Sequence, residues 1–208
     1  MKKIVIIGAN DFQKPLIQKA KEMGYETHVF AWREGATGAE DADFFYEISI
    51  VEMDAILEEC RKIKPDAVAT IGSDLANITV QYLAEKLGLP GNSSECIRQS
   101  TNKYAMRSAF QKAGIPVPYF ACVGEGESVE PEHFPVIVKP TDRSGSRAIT
   151  KVTDPSELPA AIEAASRIQC GNDQLSGKTH LPCNHQEIYD RKSALYRGWS
   201  FTAGSTDR

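Results

Sequence analysis

Ile4-Val5-Ile6-Ile7 is an unbroken apolar run that stops at Gly8. A run of that length bounded by glycine reads as a central strand of a parallel sheet, buried on both faces. The chain then switches to helical spacing: Phe12, Leu16, Ile17, Ala20 and Met23 fall on one face, Pro15 sits in the first turn and Gly24 closes the helix. The alternation repeats. Thr27–Trp32 and Phe44–Ile50 read as strands, and Met53, Ile56, Leu57, Cys60 and Ile63 mark a helix. Ala67–Ile71 reads as another strand, and Leu75, Ile78, Tyr82, Leu83 and Leu87 mark a helix ended by Gly88. Strand and helix in turn over residues 1 to about 90 predict an α/β domain with a doubly wound parallel sheet. Leu89-Pro90-Gly91-Asn92 is turn chemistry, which sets the first domain at 1–92.

Residues 93–168 follow a different pattern. A helix is expected over roughly 101–113, with Tyr104, Ala105, Met106 and Phe110 facing inward, stopped by Ala113-Gly114-Ile115-Pro116-Val117-Pro118. Phe134–Lys139 reads as a strand, Ser144-Gly145-Ser146 as a small-residue loop and Ala148–Val152 as a returning strand. Asp154, Pro155 and Glu157 take the N-cap, N1 and N3 positions of a helix running to about Ile168. After Gln169 no helical or strand period persists, and 169–208 reads as an aberrant or disordered tail.

With 41% hydrophobic and 25% charged residues, the chain can build a core without a disulfide or metal staple. The net charge of −4 and the absence of a basic stretch argue against a nucleic-acid partner. No run approaches the ~20 apolar residues of a membrane span, and Asn10 and Asp11 follow the first apolar run too soon for a signal peptide. The five cysteines include no CxxC pair. Cys60, Cys96 and Cys122 read as small core residues, and the odd count suits a reducing cytoplasm.

Three segments carry chemistry. Gly8-Ala9-Asn10 follows the first strand, but Asn10 stands where a dinucleotide fingerprint needs its second glycine, the one that lets the backbone touch pyrophosphate. The turn is either a plain strand-to-helix connection or a contact for a small substrate or phosphate. Gly72-Ser73-Asp74 ends a later strand at the same sheet edge, so Gly8, Asn10 and Ser73 are candidate substrate contacts. Lys103 in Thr101-Asn102-Lys103-Tyr104-Ala105-Met106-Arg107 would by itself be an ordinary solvated lysine. In the third segment, an apolar strand delivers Lys139 at its end, Pro140 keeps the exit extended and Ser144-Gly145-Ser146 follows. Backbone amides in such a loop can cradle phosphate oxygens, and lysine supplies a compact positive charge; the plain alternative is a hairpin with a surface lysine.

The order of these parts resembles the ATP-grasp superfamily, on the branch of biotin carboxylase, carbamoyl-phosphate synthetase and carboxylate–amine ligases. It runs from the α/β domain through the Lys103-x-x-x-Arg107 helix and Gly114-Ile115-Pro116-x-Pro118 to the strand and loop Val136–Ser146. The resemblance covers about 1–168, and its specificity lies in the combination, not in any single motif. It implies an incomplete ATP-grasp subdomain after the first domain, with Lys103 and Lys139 contacting nucleotide phosphates and Ser144, Gly145 and Ser146 closing over them. It further implies ATP and Mg²⁺ as cofactors, a small carboxylate substrate, and activation of that carboxylate as an acyl-phosphate for attack by an amine or similar nucleophile. Ala148 departs from the family pattern, which has glycine there. The competing reading is a non-catalytic Rossmann-like domain that binds a nucleotide or a partner chain.

The resemblance also implies what this sequence lacks: the adenine-binding hinge and the later Glu and Asn ligands of Mg²⁺, so this chain is expected to be inactive. Gly177-Lys178-Thr179 is not a P-loop, because Asn172 stands at the first glycine position. His180, Cys183 and His185 match no zinc spacing. Read one nucleotide out of frame, Cys183–Arg208 admits codons for a sequence resembling the later half of the same family. Gln186-Glu187-Ile188 then permits only Lys or Arg at two successive positions, and Trp199-Ser200 forces Gly. The chain is therefore expected to be truncated or frameshifted after about residue 168.

Overall fold

The computed structural model describes residues 1–124, 127, 129–142 and 148–170, together with the backbone strand 186–190; at 168–170 it likewise describes backbone alone. The chain divides into two compact units, Met1–Thr101 and Asn102–Arg208.

In the first unit the order is β1 (Lys3–Ile7), α1 (Lys14–Glu22), β2 (Glu26–Phe30), β3 (Phe44–Tyr46), α2 (Met53–Ile63), β4 (Ala67–Ala69), α3 (Asp74–Leu87) and α4 (Ser94–Thr101). The strands are all parallel in the order β3-β2-β1-β4. Alternation along each strand supplies two cores. Val5, Ile7 and Phe30 pack with Ile56 and Cys60 of α2 and Leu83 of α3. Ile6 and Val29 pack with Ile17 and Ala20 of α1. The two-sided burial explains why β1 is apolar at every central position. It also makes this the doubly wound α/β sheet expected from the sequence.

Several local readings need correction. Phe12 and Met23 lie outside α1 and are 71% and 65% exposed: Asn10 starts a turn that delays the helix to Lys14, and Met23 is the C-cap at its far end. β3 stops at Tyr46, since the amides beyond it turn to local acceptors: Ile48 N donates to Tyr46 O and Ser49 N to Glu52 Oε2. Helix α3 buries Ala76, Thr79, Leu83 and Ala84, leaving Leu75 outside. Cys96 is exposed, whereas Cys60 is buried and Cys122 half-buried. Helix α4, which the sequence reading missed, is capped by Ser93 and anchored by Ile97.

The second unit contains α5 (Lys103–Lys112), β5 (Phe120–Val123), β6 (Val136–Pro140), β7 (Thr150–Val152), α6 (Leu158–Cys170) and β8 (Gln186–Asp190). Its sheet is antiparallel, ordered β5-β8-β6-β7. Val123, Val136, Val138 and Val152 pack under Leu158, Ala161 and Ala165 of α6. Asp154 and Glu157 form a reciprocal capping box on the 3₁₀ turn that opens α6. Strand β8 lies within the stretch that showed no strand period, and its backbone pairs with β5 on one side and β6 on the other. The rest of 171–208 lies outside the described residues. Among the described residues, no helix is long and apolar enough to cross a membrane.

Candidate functional site

In the first unit, β1 and β4 pair in parallel, so their carboxyl ends open side by side. This brings Gly8, Asn10 and Ser73 to one sheet edge. Gly8 takes φ +97°, and a Cβ there would lie 3.0 Å from the Gln13 side chain; only glycine suits both demands. Gln13, which sequence reasoning missed, is 1% exposed. Its Oε1 accepts from Asn10 N at 3.2 Å, and its Nε2 donates to Ile71 O at 2.6 Å. It therefore bridges the turn after β1 to the turn after β4. Thr70 Oγ1 adds a bond to Ile7 O, and Gly38 N donates to Ala9 O from the loop after β2. Ser73 is the N-cap of α3, its Oγ accepting from Ala76 N at 3.2 Å. A buried glutamine leaves little trace in sequence; the signal was its position three residues after Asn10.

In the second unit, Val136 and Val138 face α6, so the alternation of β6 turns Lys139 to the other face of the sheet. Lys139 is nonetheless only 9% exposed. Asn102 caps α5 through Oδ1, which accepts from Ala105 N, and places Lys103 at the first helical position. The backbone N of Lys103 donates to Thr141 O at 2.8 Å, and its ammonium lies 3.5 Å from the same oxygen. Thr141 lies two residues beyond Lys139 and is 3% exposed. Lys103 is thus seated against Thr141 just past the end of β6, where the next residue, Asp142, has its Oδ1 buried without a hydrogen-bond partner. Ser144, Gly145 and Ser146 lie outside the described residues. At the far side of that loop, Ala148 takes φ +50°, the left-handed region that favours glycine.

No family model matches the chain. It is 28% identical over 149 residues to a D-alanine–D-alanine ligase of Geobacter sulfurreducens, spanning 58% of this chain and 47% of that protein. It superimposes on the L-amino acid ligase of Bacillus licheniformis with a TM-score of 0.66 at 20% identity, over 91% of this chain and 44% of that one. An N5-carboxyaminoimidazole ribonucleotide synthetase solved with ADP gives a TM-score of 0.68 at 19% identity, over 90% of this chain and 46% of that one. These relatives are ATP-grasp proteins, and the chain shares their fold. It spans less than half the length of these ATP-grasp relatives. The positive φ of Ala148 gives a physical reason for the glycine that the ATP-grasp pattern has there. Among the described residues, no group of three or more His, Cys, Asp or Glu is arranged to hold a metal ion, so Mg²⁺ is assigned no ligand.

Proposed function

We propose that this chain is the nucleotide-binding portion of a cytoplasmic, ATP-dependent carboxylate–amine ligase. Lys103 and Lys139 hold the phosphates, the loop Ser144–Ser146 covers them, and Gly8, Asn10 and Ser73 contact the small substrate. In the complete reaction a carboxylate oxygen attacks the γ-phosphorus of ATP and ADP leaves. The amine then attacks the acyl carbon, phosphate departs and the nitrogen loses a proton. Negative charge builds on the phosphoryl oxygens, and the two ammonium groups offset it. The observation that supports this reading is the bond from Lys103 N to Thr141 O, which ties the start of α5 to the chain two residues beyond Lys139. The chain by itself is proposed to bind nucleotide without turning it over.

Calorimetric titration of the full chain with ADP and Mg²⁺ tests it. Lys139→Met keeps the stem and removes the charge, and should weaken ADP roughly tenfold or more, as expected for a charge-assisted contact. Unchanged affinity in Lys139→Met, with the variant folded, would remove the reading.

A further inference from the structure

Helix α4 ends at Thr101 and α5 begins at Lys103, so Asn102 is the single non-helical residue between them. Its backbone is extended, with φ −97° and ψ 118°. No proline or glycine lies between Ser94 and Lys112, so neither of the strongest helix breakers forces the interruption. The break falls on a residue whose side chain starts the next helix.

The last four amides before a helix ladder begins have no partner inside it. At α5 two of these find acceptors: Lys103 N donates to Thr141 O at 2.8 Å, and Ala105 N donates to Asn102 Oδ1 at 2.9 Å. Met106 N then donates to Asn102 O at 2.9 Å and opens the ladder. Asn102 therefore accepts from α5 through both its carboxamide and its carbonyl. Thr141 is 3% exposed, so the far end of the Lys103 N bond is a buried one.

This matters for the lysine between the two anchors. An ammonium on a flexible four-carbon stem acts where its Cα is held. The Cα of Lys103 is held from outside the helix by Thr141 and from within its first turn by the Asn102 cap. We propose that Asn102 is a positioning residue for nucleotide binding, acting through Lys103 and not by touching the ligand. This rests on the reading that Lys103 meets the phosphates of ADP or ATP. Losing a cap moves a helix start toward frayed conformers, and an affinity falls by the fraction that stays competent.

The test is calorimetric titration of the full chain with ADP and Mg²⁺, with amide exchange of the same variants. Asn102→Ala should weaken ADP about fivefold, the factor equivalent to the ~1 kcal/mol of a typical cap, whereas Asn102→Ser restores a neutral cap and should stay within about twofold of the parent. Exchange of the Lys103 amide in Asn102→Ala should quicken by a similar factor of about five, with the Val136 and Val138 amides unmoved. Lys103→Met should weaken ADP roughly tenfold. Adding Asn102→Ala to Lys103→Met should then cost less than about twofold more, because the two residues act as one unit. Unchanged affinity or unchanged Lys103 exchange in Asn102→Ala, an equal loss in Asn102→Ser, or a full further loss in the Lys103→Met background overturns the proposal. When Lys103→Met weakens ADP and Asn102→Ala does not, positioning alone fails. No ADP binding by the parent chain, or unchanged affinity in both Lys103→Met and Lys139→Met, removes the nucleotide reading and this proposal with it.

Discussion

Ala148→Gly is expected to stabilise the second unit, against the usual effect of introducing glycine. Ala148 holds φ +50°, and a side chain in the left-handed region costs roughly 1–2 kcal/mol relative to glycine. Two terms oppose the gain. Glycine widens the unfolded ensemble by roughly 0.4–1 kcal/mol. The lost methyl is half-buried and forfeits only a fraction of the ~0.8 kcal/mol of a buried carbon. The balance is a net stabilisation of about 0.5 kcal/mol, or a shift of roughly 0.3 M in the urea midpoint at an m-value of ~2 kcal/mol per M. Unfolding is followed through the amide signals of Val136 and Val138, which lie in the second unit's own core, so melting of the first unit does not enter the curve. Ala148→Val is the control: a β-branched side chain at positive φ should lower the midpoint by more than glycine raises it. A midpoint that falls in Ala148→Gly, or stays unchanged in Ala148→Val, would show that the left-handed conformation at 148 is wrong.

Gln13→Leu preserves volume but strips partners from Asn10 N and Ile71 O; it should destabilise the first unit by roughly 2–4 kcal/mol, read from Val5 and Val29 amides in urea. Asp43 accepts from Thr27 N and Oγ1 and pairs with Lys21. The Thr27 bond first, then Lys21, hold its carboxyl below the usual range. A depressed folded-state pKa contributes stability above the unfolded value and loses it as pH falls through the folded one, so Asp43→Asn should flatten the acid limb of unfolding below about pH 4. Burial pushes the Cys60 thiol up to about 12, whereas Cys96 is exposed. Iodoacetamide at neutral pH should label Cys96 and spare Cys60 until urea unfolds the chain, as peptide mass spectrometry would record. The purified chain with Mg²⁺ should consume ATP no faster than a protein-free control; release of ADP well above that rate would show that the chain turns nucleotide over unaided.

Features written in local chemistry are legible in the amino-acid order alone. The run Ile4–Ile7, the helical stripe of Ile56, Cys60 and Ile63, and the Asp154–Glu157 capping box each rest on interactions within a few residues, and each folds where the sequence placed it. Tertiary contacts decided the rest. A carboxamide can serve a core as well as a surface, so only the approach of Ile71 O made Gln13 a bridge between two turns. The seating of Lys103 against Thr141, 38 residues away, is likewise a long-range backbone bond that no spacing reveals. Strand β8 took its place between β5 and β6 through backbone donors and acceptors that every residue carries, so side-chain period gave no warning of it. Sequence determined the alternation of strand and helix in the first unit and the two-sided burial of its central strand. Which turns meet at one sheet edge was decided by the folded chain, because hydrogen bonds across 30 to 60 residues depend on geometry that local preference does not encode.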